Sequence, residues 1–540
     1  MFEFERWSNQ VTDPELQEEL RSLVGNEKEI EDRFYRSLAF GTGGLRGLIG
    51  VGTNRMNRYT VGRATMGLAD YMQKNAQSKL VIAYDSRKKS AEFARLAAEI
   101  MSCMGIQAYL FPELTPTPVL SFAVRHLGAD AGIVITASHN PKEYNGYKVY
   151  NAHGCQITDE AATAITESIE RYDYFTPFEA NEDLITLLDD GVKEAFLNTV
   201  LQLSKTKITP KNAPSVVYSP LCGTGRVWVQ EILARLGVKK LVTVAEQEMP
   251  DENFTTCPFP NPEEKDALTL ALRDAEQYRP DIVMATDPDA DRIGIAVPDE
   301  KGNYVLLNGN ETGSILLYYL LFKSLEAKEA LKGSTVIKTI VTTDIVFDMA
   351  KEFDVAVKEV LTGFKYIGEE LDKTERYLFG LEESYGYLVG THVRDKDAVS
   401  AAMLIVEACA YFKERGKGLY AVLQEIYQRY GYYRTDLQSI TLRGKDGAEK
   451  MQALLKELRE TPFEVLGAES LRFDDFEKGL HGLPKSPVLR FQSEHYRLII
   501  RPSGTEPKMK LYLQAKGASM ADAEHKLDEI RSFIKEHIAK

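Results

Sequence analysis

The chain has 540 residues, 44% of them hydrophobic and 27% charged, with a formal net charge of −14. That length exceeds a single hydrophobic core and points to roughly three or four domains, and the acidic balance argues against a nucleic-acid binder, whose surface is usually basic. No apolar run reaches the roughly 18 residues of a membrane span, the opening MFEFERWSNQ is too polar for a signal peptide, and Cys103, Cys155, Cys222, Cys257 and Cys409 are scattered without metal-binding spacing. A soluble cytoplasmic protein with free thiols is expected.

In chain order, a charged helical N-terminal segment leads to the glycine-rich FGTGGLRG, read as a loop. Strand Leu80–Tyr84, the turn Asp85–Arg87, helix Ser90–Cys103, strand Ile106–Phe111, a helix after the Pro-rich Thr115–Pro118 and strand Gly132–Thr136 follow. That alternation is the rhythm of a layered α/β domain. It recurs from strand Ser215–Tyr218 through helix Val227–Leu236, strand Leu241–Ala245 and a helix near 267–278 to strand Asp281–Thr286. A third round runs from Thr335–Ile340 through a helix near 345–353 to Tyr377–Gly380 and the long helix Asp397–Phe412. The end differs, with strand Thr435–Thr441, a helix near 448–459, a strand pair around Arg501–Thr505 and a closing helix Ala521–Ile538. The pattern predicts three α/β domains of similar plan and a smaller C-terminal α+β domain, divided as 1–205, 206–320, 321–430 and 431–540.

Each unit carries one chemically dense loop. In the first, TASHNP follows an apolar strand; with Ser138 and His139 side by side, it reads either as an ordinary polar turn or as the seat of a nucleophilic Ser138. In the second, DPDADR sets Asp287, Asp289 and Asp291 at alternating positions, which strand geometry would point to one side. Crowded carboxylates repel, and a hard divalent cation such as Mg²⁺ resolves the conflict; an acidic solvated turn is the other reading. Arg292 beside them favours a phosphate neighbour. The third unit has Glu382 and Ser384 in EESYG, suited to sugar hydroxyls, and Lys365 in the TGFK loop, suited to a negative group. The fourth has RPSGTEP, in which Arg501, Ser503, Gly504 and Thr505 make either a phosphate cradle or a hairpin turn.

Together, in this order, TASHNP, DPDADR, the Glu-x-Ser loop and RPSGTEP resemble the α-D-phosphohexomutase superfamily over nearly the whole chain; FGTGGLRG, TGFK and VRDKD match its manner. The resemblance implies four domains around a central active-site cleft and transfer of a phosphoryl group between positions of a sugar phosphate. Ser138 would be carried as phosphoserine, with Mg²⁺ held by Asp287, Asp289, Asp291 and a phosphoserine oxygen. Arg46 would approach the phosphoryl group, and Lys148 in NGYK, read as a Gly-containing loop, would be the acid/base with His139 as the alternative. Glu382 and Ser384 would grip sugar hydroxyls, and Arg501, Ser503, Gly504 and Thr505 the distal phosphate. The implied substrates are glucose 1-phosphate and glucose 6-phosphate, with glucose 1,6-bisphosphate as intermediate and activator. Tyr385, Asn310 and Ala398 depart from the family pattern and leave mannose and pentose phosphates open. A metal-dependent sugar phosphatase is the alternative of another class. The oligomeric state is not legible.

Overall fold

Strand Ala131–Ile135, AGIVI, is buried at every position, as a strand covered on both faces must be. It is central in a six-stranded sheet whose order is 45–48, 144–151, 131–135, 79–84, 107–110, 185–187. The strands from 131–135 to 185–187 run parallel, while 144–151 and 45–48 are antiparallel additions. Helix Ser90–Cys103 buries Phe93, Leu96, Ala97, Ile100 and Met101, the three-and-four spacing of one helical face, into the core of this sheet. The structure, a computed structural model, describes residues 2–441, 445–502 and 508–538.

The chain divides into two units: Met1–Asn308, Ile367–Lys373 and Ser384–Gly418 form one, and Gly309–Tyr366, Thr374–Glu383 and Leu419–Lys540 the other. In the first, a second sheet has the order 304–307, 293–298, 282–286, 215–219, 240–243, parallel on one side and closed by an antiparallel meander on the other. Helix Ala398–Lys413, N-capped by the Asp397 carboxylate, belongs to the same unit. The N-terminal segment is three short helices, Phe2–Gln10, Pro14–Leu23 and Glu27–Phe34. Their core is Trp7, fully buried among Phe34, Tyr59, Tyr174 and Phe175.

In the second unit, strand Thr335–Thr339 lies between Ala356–Val360 and Tyr377–Glu382, parallel to both. The C-terminal part is an antiparallel sheet, ordered 432–441, 508–517, 496–502, 489–492, 472–475, packed under helix Met520–His537. Fully buried Lys338 bridges Asp344 and Glu359, at 3.1 and 2.8 Å, and Arg490 joins Glu359 at 3.0 Å. The architecture is therefore three α/β domains and a C-terminal α+β region.

Three loop expectations need correction. FGTGGLRG and NGYK are not loops throughout: Leu45–Leu48 and Tyr144–Asn151 are paired strands, Arg46 opposite Gly146 and Lys148 opposite Val134. Gly44 makes the close approach possible, since a Cβ there would sit 1.7 Å from the Tyr147 carbonyl oxygen. Lys365 lies in the first turn of helix Phe364–Asp372, not in a loop.

Candidate active site

The three aspartates converge, but not by strand alternation. Strand Ile282–Thr286 ends just before Asp287, and the chain returns antiparallel with Ile293 opposite Thr286. The aspartates occupy the turn between. Ala290 there has a φ of 50°, and Asp287 Oδ1 accepts the backbone N–H groups of Asp291 and Arg292 at 3.1 and 3.0 Å. Gly223 lets the turn seat closely, because a Cβ there would fall 2.4 Å from Pro288 Cα. All three carboxylates are buried, and one oxygen from each lies within 4.8 Å of the others.

Ser138 faces this turn. Its Oγ donates to Asp287 Oδ2 at 2.8 Å and lies 3.1 Å from His139 Nδ1. Its backbone is left-handed, with φ 53°, a conformation that costs a residue with a Cβ roughly 1–2 kcal/mol. Thr136 Oγ1 accepts the Ser138 N–H at 2.8 Å and holds the turn closed. Loss of hydration, then the charges of Arg292 and Arg46, push the half-buried His139 imidazole well below its ordinary value. Exposed Arg46 reaches Asn140 Oδ1 at 3.4 Å, and Arg292 is held by Glu263 at 2.5 Å.

Two lysines complete the cluster. Buried Lys148 donates to Asp289 Oδ2 at 2.9 Å and stands 3.7 Å from Asp291. Lys396, also buried, pairs with Asp291 at 3.0 Å and Asp395 at 3.3 Å. Asp395 in turn accepts Tyr150 and Gln156 at 2.7 and 2.9 Å, and Thr117 donates to Asp289 at 2.9 Å. Burial, then the charges of Asp289 and Asp291, push the Asp287 carboxyl well above its ordinary range. Burial pushes Asp289 upward as well, but the charge and hydrogen bond of Lys148, a hydrogen bond with Asp287 and the charge of Lys396 together outweigh it and hold that group below its ordinary value.

Oδ1 of Asp289 and Oδ1 of Asp291 are buried and accept no hydrogen bond from the described residues. Buried carboxylate oxygens are rarely left so, and convergent oxygens of this kind suit a hard divalent cation. The donor set fits a metal.

The other expected residues are placed as follows. Ser384 is half-buried in the first unit. In the second, buried Glu382 and half-buried Arg501 both act on Tyr512, whose hydroxyl burial and Glu383 push up to about 12. Lys365 packs over the Tyr366 ring at 4.7 Å. Asn310 accepts the Thr343 N–H at 3.0 Å and donates to Thr435 at 3.2 Å. Ser503, Gly504 and Thr505 lie outside the described residues. Sequence reasoning passed over Lys396, visible only within VRDKD, and Arg87, read as part of a turn.

A serine seated against a buried acidic metal-type site, in a frame of repeated α/β domains, marks an enzyme of phosphoryl transfer. Residues 37–175, 194–302 and 308–430 match, in order, the α/β/α domains I, II and III of phosphoglucomutase/phosphomannomutase. The phosphoglucomutase of Staphylococcus haemolyticus (strain JCSC1435) is 38% identical over 507 residues, 89% of this chain and 91% of its own. That of Staphylococcus aureus (strain MRSA252) is 36% identical over 534 residues, 94% of this chain and 95% of its own. Among solved structures, parafusin, a phosphoglucomutase from Paramecium, aligns at 18% identity over 94% of this chain and 95% of its own, TM-score 0.72, a likeness of fold. The chain belongs to the phosphoglucomutase/phosphomannomutase family and is an isomerase of the phosphoryl-transferring mutase kind.

Proposed function

We propose that the chain interconverts α-D-glucose 1-phosphate and glucose 6-phosphate in the cytoplasm, with Ser138 carrying the phosphoryl group and glucose 1,6-bisphosphate as intermediate and activator. The observation that carries the reading is the Ser138 hydroxyl held 2.8 Å from Asp287 at the edge of the three-carboxylate cluster. The relatives at 36–38% identity are phosphoglucomutases. Among the described residues no helix is long and apolar enough to cross a membrane. The division at 1–205, 206–320, 321–430 and 431–540 belongs to the same proposal.

Mg²⁺, held by Asp287, Asp289, Asp291 and an oxygen at Ser138, would supply charge neutralisation for the transferring phosphoryl group. A phosphoserine carries about −1.5 to −2 charge near neutral pH and repels an incoming oxygen; Arg46, on the strand beside Lys148, offsets that charge. The P–Oγ bond at Ser138 breaks as a bond forms to the sugar hydroxyl. The hydroxyl proton passes to Lys148, which acts in this step as the free amine, with His139 as the alternative acceptor, and Ser138 Oγ regains a proton. The bisphosphate then turns, and the reverse step restores phosphoserine. Glu382 and Ser384 grip sugar hydroxyls. Arg501, Ser503, Gly504 and Thr505 hold the phosphate not being transferred; Arg292, beside the aspartates, faces a phosphate there, and Lys365 meets a negative group of the substrate.

The test is turnover of glucose 1-phosphate with Mg²⁺ and catalytic bisphosphate, with glucose 6-phosphate read through a coupled dehydrogenase. Mannose 1-phosphate and ribose 1-phosphate run in parallel, and a faster rate on either reassigns the substrate. Inorganic phosphate released in place of an isomer would replace the mutase with a phosphatase.

A further inference from the structure

Seven residues, Ser138 to Tyr144, turn their main chain around one buried cation. Arg87 has no exposed side-chain surface. Its Nη2 donates to the Ser138 carbonyl at 2.5 Å and to that of Asn140. Its Nη1 donates to the Pro141 and Tyr144 carbonyls at 2.9 and 3.2 Å. The guanidinium is itself fixed from two other sides. Its Nε lies 3.3 Å from the Asp85 carboxylate, which also accepts the Arg87 N–H at 3.0 Å and the Ser90 hydroxyl at 2.7 Å. Its carbon stands 5.0 Å from the centre of the buried Phe254 ring. Four carbonyl dipoles aimed at one planar cation fix the orientation of the peptides they belong to, Ser138's own among them.

We propose that Arg87 is a positioning residue for phosphoryl transfer, setting the left-handed backbone of Ser138 from which Oγ meets Asp287. The inference rests on the mutase reading above. It follows from the geometry of the donors: a guanidinium offers several N–H groups in a rigid plane, and these reach four carbonyls at once. A lysine ammonium at the same place offers three protons from one point and cannot span the loop. Among the described residues Arg87 makes no hydrogen bond to Ser138 Oγ or to the aspartate turn, so its loss should slow chemistry more than it weakens binding of the sugar phosphate. A displacement of the acceptor oxygen by about 1 Å can cost roughly 10²-fold in rate.

Two variants test this, R87K and the charge-balanced D85N/R87M. For each, kcat and KM for glucose 1-phosphate are measured, together with the rate at which glucose 1,6-bisphosphate phosphorylates Ser138, followed by intact mass. The ³¹P resonance of the phosphoserine and the thermal midpoint are recorded in parallel. We expect kcat and the phosphorylation rate to fall together, about 10²-fold in D85N/R87M and about tenfold in R87K, with KM changed less than about threefold and the phosphoserine resonance shifted. R87K that folds with wild-type kcat overturns the proposal, as does a loss carried by KM alone. Should D85N/R87M not fold, R87K decides. Wild-type protein that neither isomerises glucose 1-phosphate nor takes a phosphoryl group on Ser138 would refute the mutase reading instead; active wild type beside equally active R87K refutes only the clamp.

Discussion

Replacing Asp287 by Asn should remove a loss of stability that wild type suffers as pH rises when no divalent cation is present. Two unit charges 4.8 Å apart repel by about 3.5 kcal/mol at an effective dielectric of ~20, and the three carboxylate oxygens lie within that distance of one another. A third charge added to two therefore meets about 7 kcal/mol of repulsion before any cation acts. Lys148, 2.9 Å from Asp289, and Lys396, 3.0 Å from Asp291, cancel two of the three charges. Asp287 has no lysine partner of this kind, and burial, then the charges of Asp289 and Asp291, hold its carboxyl well above the ordinary range. A group with a raised folded pKa binds its proton more tightly when folded. Its contribution is complete below the unfolded value near ~3.9 and is lost as pH rises through the folded value, at about 1.4 kcal/mol per unit of elevation. Wild type in EDTA should thus lose stability as pH rises through and above the acidic range, while Asp287→Asn lacks that component. Saturating Mg²⁺ should restore the loss: at a hundred times Kd a ligand contributes about 2.7 kcal/mol, or about 3–5 °C in a unit of this size. Scanning calorimetry in EDTA and in excess Mg²⁺, from mildly acidic to mildly alkaline pH, measures both. An equal Mg²⁺ shift in Asp287→Asn, or the same pH slope in both proteins, would refute the reasoning.

Lys148→Met should lower kcat roughly 10²–10⁴-fold, the worth of a positioned acid/base, with a smaller change in KM. Near-normal turnover beside a crippled Lys396→Met would move the role to the second lysine of the cluster. Ser138→Ala should fold and bind sugar phosphate yet be nearly inactive, with no phosphoryl mass on the TASHNP peptide; activity close to wild type would end the phosphoserine mechanism. Lys338→Met should destabilise the second unit by about 3 kcal/mol, the low end for a broken buried pair, because Glu359 keeps Arg490 and Asp344 keeps Arg497; urea unfolding reads this. Trp7→Ala should cost about 3–5 kcal/mol in the first unit, and a loss below ~1 kcal/mol would show that the aromatic cage is not what docks the N-terminal helices.

The elements legible in the sequence were those whose environment is uniform along their length. Helix Ser90–Cys103 has the limits its spacing predicts, and helices Ile345–Glu352, Ala398–Lys413 and Met520–His537 fall within a residue of expectation. Continuous apolar runs such as Ala131–Ile135 are strands because both faces are covered. Tyr144–Asn151, YNGYKVYN, has no such run. It is a strand because 131–135 and 45–48 pair with it on either side, and pairing of that kind leaves little trace in the segment's own composition.

The candidate site divides along the same line. The aspartates and Ser138 stand in short motifs whose residue types already carry the chemistry. Lys396 and Arg87 matter through partners that only the fold brings near. The two readings open for TASHNP, polar turn and nucleophile, turn out to describe different ranges of the same structure. Locally it is a turn: Thr136 accepts the Ser138 N–H two residues on, as Ser, Thr, Asn and Pro do in loops generally. What makes Ser138 more than a turn residue comes from far along the chain, from Arg87 at a separation of 51 residues and Asp287 at 149. A turn needs only its own residues to form. A reactive oxygen needs a fixed distance to a charge, and here strands from two sheets must be folded before that distance exists.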